Sequence, residues 1–270
     1  MTYNVLNSFK EQEPFSYKKV YNSLLLAGKD EETAAKIASL VEKKAYPNIS
    51  TFEIHKMIKK ILLKEKNAFS MRFDLKYAMK RFGPEGFYFE KFIKEVYEFL
   101  GYEVVNNEIV QGKCIPYEID FIAKKDELEF IGECKYRNMV GDRVDVNVVL
   151  KGFAVRDDIR NNNSNIIEKI IVTNEKFTER AIKYAKCKKI FLLGWKFPEE
   201  MGLEKIIEDN GLYPITILNS FNSRYLNVFA KENVLIAKNL TEEKIKKLHE
   251  YKISRGYLNK LKQEKELLFN

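Results

Sequence analysis

The chain has 270 residues, 45% hydrophobic and 32% charged, with 47 Lys and Arg against 39 Asp and Glu and a formal net charge of +8. That length can bury a substantial core and has room for two domains. No apolar run is long enough to span a bilayer, and no charged-then-apolar leader opens the sequence, so neither a membrane nor a secretory role is expected.

Only three cysteines (Cys114, Cys134, Cys187) and two histidines (His55, His249) occur, and no CxxC spacing. A disulfide framework and a His-rich zinc site are thereby excluded, and a reducing, cytoplasmic compartment is expected. The charge is uneven. Residues 1–84 carry 16 Lys and Arg against 9 Asp and Glu, residues 85–220 carry 20 against 24, and residues 221–270 carry 11 against 6. Basic flanks around an acidic middle suit a polyanion held by its phosphates beside a metal-binding core. Lysine-rich surfaces are also ordinary in Lys-, Asn- and Ile-rich chains.

In chain order, Ser16 caps a helix over Tyr17–Leu26 that stops at Gly28. Asp30 caps the next, Glu31–Lys44, with Ala34, Ile37, Ala38 and Val41 on one face. Beyond Pro47, Ser50 or Thr51 caps a helix over 52–64 with Ile54, Met57, Ile58, Ile61 and Leu62 inward. A fourth helix is predicted over 72–81, ending at Gly83-Pro84. Over residues 5–82 this unit resembles an ATP-cone, the nucleotide-sensing module found at the front of ribonucleotide reductases. Val5, Phe15-Ser16-x-x-Lys19-Val20, Ala27-Gly28, Ser50-Thr51-Phe52-Glu53-Ile54-His55 and Arg72 carry the resemblance. It implies ATP or dATP as an effector, contacted by Lys19, Thr51 and His55. The hairpin departs from the family pattern, with Asn7 in place of Lys and Lys10 in place of Gly. A tight turn is harder to form without that glycine, and one phosphate cation is missing. A helical scaffold that no longer binds nucleotide is therefore the alternative.

Gly83-Pro84-Glu85-Gly86 reads as a hinge before a helix over 87–100, and a sheet begins at Gly101-Tyr102-Glu103-Val104-Val105. Two apolar strands follow, Tyr117-Glu118-Ile119-Asp120-Phe121-Ile122 and Phe130-Ile131-Gly132-Glu133-Cys134-Lys135, around the polar turn Lys124-Lys125-Asp126-Glu127. Strand alternation puts Glu133 and Lys135 on one face, and a paired strand can bring Asp120 to the same end of the sheet. Two carboxylates and an ammonium there suit a hard divalent cation that polarises a phosphodiester and lowers the pKa of a bound water. Cross-strand ion pairs on a solvated face are the competing reading. Chemistry is favoured because these charges interrupt a core-like apolar run, and because Tyr136-Arg137-Asn138 follow with a cation and donors.

Residues 87–195 resemble the PD-(D/E)xK nucleases of the restriction-endonuclease superfamily, nearest to the Mrr-like, type IV group. The resemblance implies a mixed sheet flanked by helices. Asp120 and Glu133 would bind Mg2+ or Mn2+, and Lys135 would position or activate the attacking water. Glu90 would be the helix acid completing the cage, with Glu95 as its alternate. Glu118-Ile119-Asp120 stands where the strict pattern has Pro-Asp, and Glu118 competes with Asp120 in principle.

Further on, a helix over 145–158 turns Val146, Val149, Leu150, Phe153 and Ala154 inward. Its Lys151 and Arg156 face either the phosphate backbone or plain solvent. Residues 161–165 (Asn-Asn-Asn-Ser-Asn) form a polar loop, 166–172 a buried strand, 179–185 a helix capped by Thr178, and 189–193 a second buried strand. That order is a parallel crossover unit. Trp195 reads as a packing residue. Short helices are predicted over 201–210, 214–224, 226–234 and 241–252, with a Lys/Glu-rich stretch over 243–268. They would form a DNA grip, a dimerisation arm or a cap on the sheet.

The expected architecture is α/β (α+β): a small helical ATP-cone-like domain (1–84), a restriction-endonuclease-like α/β/α core with a mixed sheet (85–197), and a helical C-terminal segment (198–270). The expected function is a Mg2+-dependent DNA endonuclease with ATP or dATP as effector. No Walker motif is present to use nucleotide as fuel. One site cuts one strand, so double-strand cleavage calls for a homodimer or two binding events. The alternative is a nucleotide-responsive DNA-binding regulator with a vestigial nuclease core.

Overall fold

The computed structural model describes residues 3–65, 68–162 and 168–269. Asn163, Ser164 and Asn165 of the polar loop, and positions 166–167 of the predicted strand, lie outside the described residues. The chain divides into two compact units. One comprises Met1–Ala78, Ile217–Phe221 and Ile253–Asn270; the other Met79–Thr216 and Asn222–Lys252. Residues 198–270 are thus shared between the units.

In the first unit, β1 (Asn4–Leu6) and β2 (Gln12–Pro14) make an antiparallel hairpin. The hairpin forms despite the missing glycine. Lys10 takes the left-handed conformation itself, at φ 62°, and the Asn7 side chain accepts the N–H groups of Phe9 and Glu11. An Asx-type bond of this kind stands in for backbone turn geometry. Helices α1 (Tyr17–Leu26), α2 (Glu31–Lys44) and α3 (Thr51–Leu62) start where local chemistry dictates. Ser16 and Asp30 accept the N–H of Lys19 and Thr33, and Ser50 forms a capping box with Glu53. Leu24, Ala34, Ala38, Val41, Ile58 and Leu62 close the core.

The single helix predicted over 72–81 is two, α4 (Phe69–Phe73) and α5 (Leu75–Lys80). The break falls at Asp74, which leaves the helix at φ −86°, ψ 2° and turns its carboxylate onto His55 and Lys59.

The second unit opens with α6 (Phe87–Phe99), followed by β3 (Glu103–Gln111), β4 (Pro116–Lys125) and β5 (Leu128–Cys134). After the two-residue strand β6 (Arg143–Val144) come α7 (Val146–Arg160), β7 (Glu168–Val172), β8 (Lys176–Phe177), α8 (Glu179–Lys188) and β9 (Phe191–Leu193). The main sheet runs β3-β4-β5-β7-β9, antiparallel on the β3 side and parallel from β5 to β9. This is the mixed sheet the sequence predicts, with α7 and α8 as crossovers. β6 and β8 form a small parallel pair. Phe121 pairs with Gly132 across β4 and β5. A Cβ on Gly132 would lie 2.1 Å from the Phe121 ring, so only glycine admits the ring beside the Glu133 segment. Tyr97, Phe121 and Phe130 pack as a ring cluster between α6 and the sheet.

Helices α9 (Leu203–Asn210), α10 (Leu226–Lys231) and α11 (Glu242–Glu250) follow, joined by 3-10 turns at Ile215–Ile217, Ser223–Tyr225 and Ala237–Asn239. The last helix, α12 (Arg255–Phe269), belongs to the first unit, where Arg72 donates to the Leu268 carbonyl at 3.0 Å. Trp195 is buried, and its indole N–H donates to Glu204 at 2.9 Å, so it packs. Arg156 is buried as well and donates to the carbonyls of Lys188 and Lys189. It ties α7 to the end of α8 and is not available to a phosphate backbone. No helix among the described residues is long and apolar enough to cross a membrane, and all three cysteines are free thiols.

Candidate active site

Asp120 and Glu133 stand where β4 and β5 part. The ladder pairs the strands as far as Phe121 and Gly132. One residue further, the Asp120 side chain takes over the strand's role, its Oδ2 accepting the Cys134 N–H at 2.6 Å. That bond fixes the carboxylate at the sheet end. Glu133 follows Gly132 on β5, and the Lys135 N–H donates to the Val172 carbonyl at 2.7 Å. The β-geometry therefore continues through Lys135, and Glu133 and Lys135 share a face as alternation requires. Lys135 Nζ lies 2.6 Å from Glu133 Oε1.

α6 supplies the third acid. The Glu90 carboxyl is pushed up to about 7, first by burial, then by the Asp120 charge, with Glu118 and Glu133 adding to it and Lys135 opposing. These groups therefore feel one another electrostatically. Asp120 is also raised, by burial and by Glu133, against the pull of its Cys134 hydrogen bond. Burial penalises ionised Glu133 too, but Lys169 and Lys135 outweigh it and hold that carboxyl below its usual value. Lys135 is raised, its burial offset by Glu133. Glu95 is directed elsewhere. It is buried and accepts the N–H groups of Leu235 and Ile236 and the Asn239 amide, tying α6 to the loop after α10. Of the two helix acids, Glu90 is the one whose carboxyl the Asp120 charge pushes up.

Lys169 has no place in the sequence reading. It is fully buried on β7, with its Nζ 3.4 Å from Glu133 Oε2. The available signal is a lone lysine inside the apolar strand Glu168–Val172, since lysines are almost never fully buried without a counter-charge. A second missed group supports the segment after Lys135. The Thr173 hydroxyl donates to the Lys135 carbonyl at 2.6 Å. Asn174 pairs twice with the Arg137 backbone. Glu175 accepts the Gly141 N–H and pairs with Lys80 at 2.6 Å. Thr173, Asn174 and Glu175 are all buried, so Lys135 sits on a segment fixed by satisfied buried polar groups.

Three carboxylates facing two ammoniums make a hard oxygen donor set of the kind a divalent cation takes. Among the described residues no three acidic, imidazole or thiol groups stand gathered as a ready-made metal cage; Glu133 is turned to its two lysines and Asp120 to the Cys134 N–H. The donor chemistry fits such an ion, with Asp120, Glu133 and Glu90 as the residues that would hold it.

The other sequence-predicted contact residues, Lys19, Thr51 and His55, belong to the first unit. Lys19 pairs with Glu13 at 3.2 Å. Thr51 is the first residue of α3. His55 bonds Asp74 at 2.7 Å and stacks on Phe73.

The mixed five-stranded sheet with its flanking helices is that of a restriction-endonuclease-like core. Residues 84–195 match the Mrr catalytic family, described as restriction endonuclease. An uncharacterised protein of Archaeoglobus fulgidus is 34% identical over 154 residues, 57% of this chain and 86% of that protein. A crystal structure of a protein of unknown function superposes with a TM-score of 0.60 at 30% identity, covering 67% of this chain and 96% of the other. The chain belongs to the family of that archaeal protein, with a restriction-endonuclease-like catalytic domain at residues 84–195.

Proposed function

We propose that the chain is a metal-dependent DNA endonuclease that hydrolyses phosphodiester bonds. The observation that carries this reading is the meeting of Asp120, Glu133 and Lys135 with Glu90 at one end of the sheet, inside the segment that matches the restriction-endonuclease family. Asp120, Glu133 and Glu90 would hold Mg2+ or Mn2+. A bound ion supplies a Lewis acid and a water of lowered pKa. Lys135 would orient the attacking water or meet charge developing on the phosphate. Its backbone is held by the Thr173 hydroxyl, while its ammonium rests on Glu133.

The test is nicking of supercoiled plasmid in Mg2+, Mn2+ or EDTA, beside Asp120→Ala and Lys135→Ala. Metal-dependent nicking lost in both variants is the expected result. No cleavage of plain, methylated or single-stranded DNA would favour a DNA-binding regulator with a vestigial core. Double-strand cleavage would need a homodimer or two binding events. An effector role for ATP or dATP is the remaining part of the proposal. The hairpin that persists at Asn7 and Lys10 supports it; the partners already held by Lys19 and His55 weigh against it. A shift in thermal unfolding with ATP or dATP tests that part separately.

A further inference from the structure

Lys169 and Gly152 belong to one arrangement. A glycine inside a helix destabilises it by roughly 1 kcal/mol relative to alanine, yet Gly152 lies within the 15 residues of α7. A Cβ there would meet Lys169 Cε at 3.1 Å and Ile171 Cδ1 at 3.2 Å. The missing side chain is the space in which the lysine stem runs beneath the helix. At the far end of that stem, Lys169 Nζ meets Glu133 Oε2, while Lys135 holds Glu133 Oε1. Each oxygen of this carboxylate therefore has its own cation, one partly exposed and one sealed in the core.

The two lysines are not equivalent. Lys135, at the sheet end, can move to serve a water or phosphate and so release Oε1. Lys169 is fully enclosed between β5, β7 and α7, and keeps Oε2 whatever Lys135 does. Its polar partner among the described residues is Glu133.

We propose that Lys169 is a positioning residue for a divalent-metal site at Asp120 and Glu133: it anchors one oxygen of Glu133 so that the other is presented to the ion. The inference rests on the metal-centre reading above. It makes a prediction opposite to plain electrostatics. Removing a cation beside a metal ligand should tighten binding of a second cation if the ligand stays in place. Loss of an orienting partner typically weakens metal binding 10–100-fold.

The experiment is Mn2+ binding to the full chain, followed by electron paramagnetic resonance, for the wild type, Asp120→Asn, Lys169→Met and Gly152→Ala, with thermal unfolding of each. Expected are binding by the wild type that Asp120→Asn removes, and a loss of about tenfold or more in Lys169→Met. Plasmid nicking by Lys169→Met should be slow at low Mn2+ and recover as Mn2+ is raised, which a general loss of fold would not allow. If Lys169→Met does not fold, Gly152→Ala decides. It keeps the charge, favours the helix and displaces the stem, so it should weaken Mn2+ binding by a smaller factor, about threefold by the same positioning argument. Wild-type or tighter binding in Lys169→Met, or in Gly152→Ala where the first variant fails to fold, overturns the positioning role and leaves the metal centre standing. Absence of any Asp120-dependent binding in the wild type overturns both.

Discussion

Asp74 in the first unit and Glu133 in the second are each held by two basic side chains, yet their surroundings differ in charge balance. Asp74 is a single buried carboxylate. His55 Nε2 is 2.7 Å from one oxygen and Lys59 Nζ 2.5 Å from the other, and the His55 ring lies against Phe73 and Tyr77. The acid is matched, covered and fixes the break between α4 and α5. Around Glu133, three carboxylates gather with Lys135 and Lys169, and burial first, then the neighbouring carboxylates, pushes Glu90 and Asp120 upward. A balanced buried group works as a structural tie. An unbalanced one keeps an electrostatic demand that folding leaves unmet, as sites for a further cation do.

If that contrast holds, the largest effect belongs to the unbalanced cluster. Asp120→Ala and Lys135→Ala should each lower plasmid nicking by at least about a hundredfold with the unfolding midpoint near that of the wild type. A parallel loss of both would make this cluster a structural tie like the other.

Asp74→Ala should show the reverse pattern. Breaking a buried ion pair on one side costs about 3 kcal/mol, so urea unfolding monitored by far-UV circular dichroism should move to clearly lower denaturant. A change under about 1 kcal/mol would mean that the helix break at Asp74 needs no counter-charge.

A smaller effect separates the clusters by pH. Native Glu90 keeps its proton to about 7, above the ordinary carboxylate value of 4.5. Between those values the folded state binds more protons than the unfolded one, so stability falls as pH rises through the window. Glu90→Gln removes that loss. In EDTA it should match the wild type near pH 4 and exceed it above pH 7 by about 1 kcal/mol, a figure discounted for the partial exposure of the group. Parallel curves for the two proteins would remove Glu90 from the electrostatic cluster. The smallest effect is expected at Lys19→Ala, where an exposed pair with Glu13 contributes under about 0.5 kcal/mol. A larger loss on chemical unfolding would show that the hairpin depends on it.

The parts of this molecule legible in the sequence are those set over a few residues. Ser16, Asp30 and Thr178 cap the helices they were expected to cap, and of Ser50 and Thr51 it is Ser50 that caps the third, because a cap is a bond to a backbone N–H two or three residues away. The Asp120 hairpin and the Glu-x-Lys strand were readable because alternation fixes the face of each side chain. Less legible was a substitution whose loss a neighbour repairs. Lys10 in place of glycine argued against a tight turn, yet Asn7 supplies the turn bonds. The break at Asp74 was hidden for a related reason, since a helix pattern says nothing about a carboxylate drawn toward His55 and Lys59 on another helix.

By itself, the sequence determined the order and start points of the main helices and strands, and it placed Asp120, Glu133 and Lys135 on adjoining strands. Only the tertiary structure turned Glu95 to a backbone group 140 residues away. It also buried Arg156 against the α8 carbonyls, divided residues 198–270 between the two units, and ran Lys169 under Gly152 to Glu133. Caps and strand alternation act within a turn or a pleat and are written into neighbouring residues. A buried charge takes its partner from whatever crossover packs over it, and that partner is fixed only when the chain closes on itself.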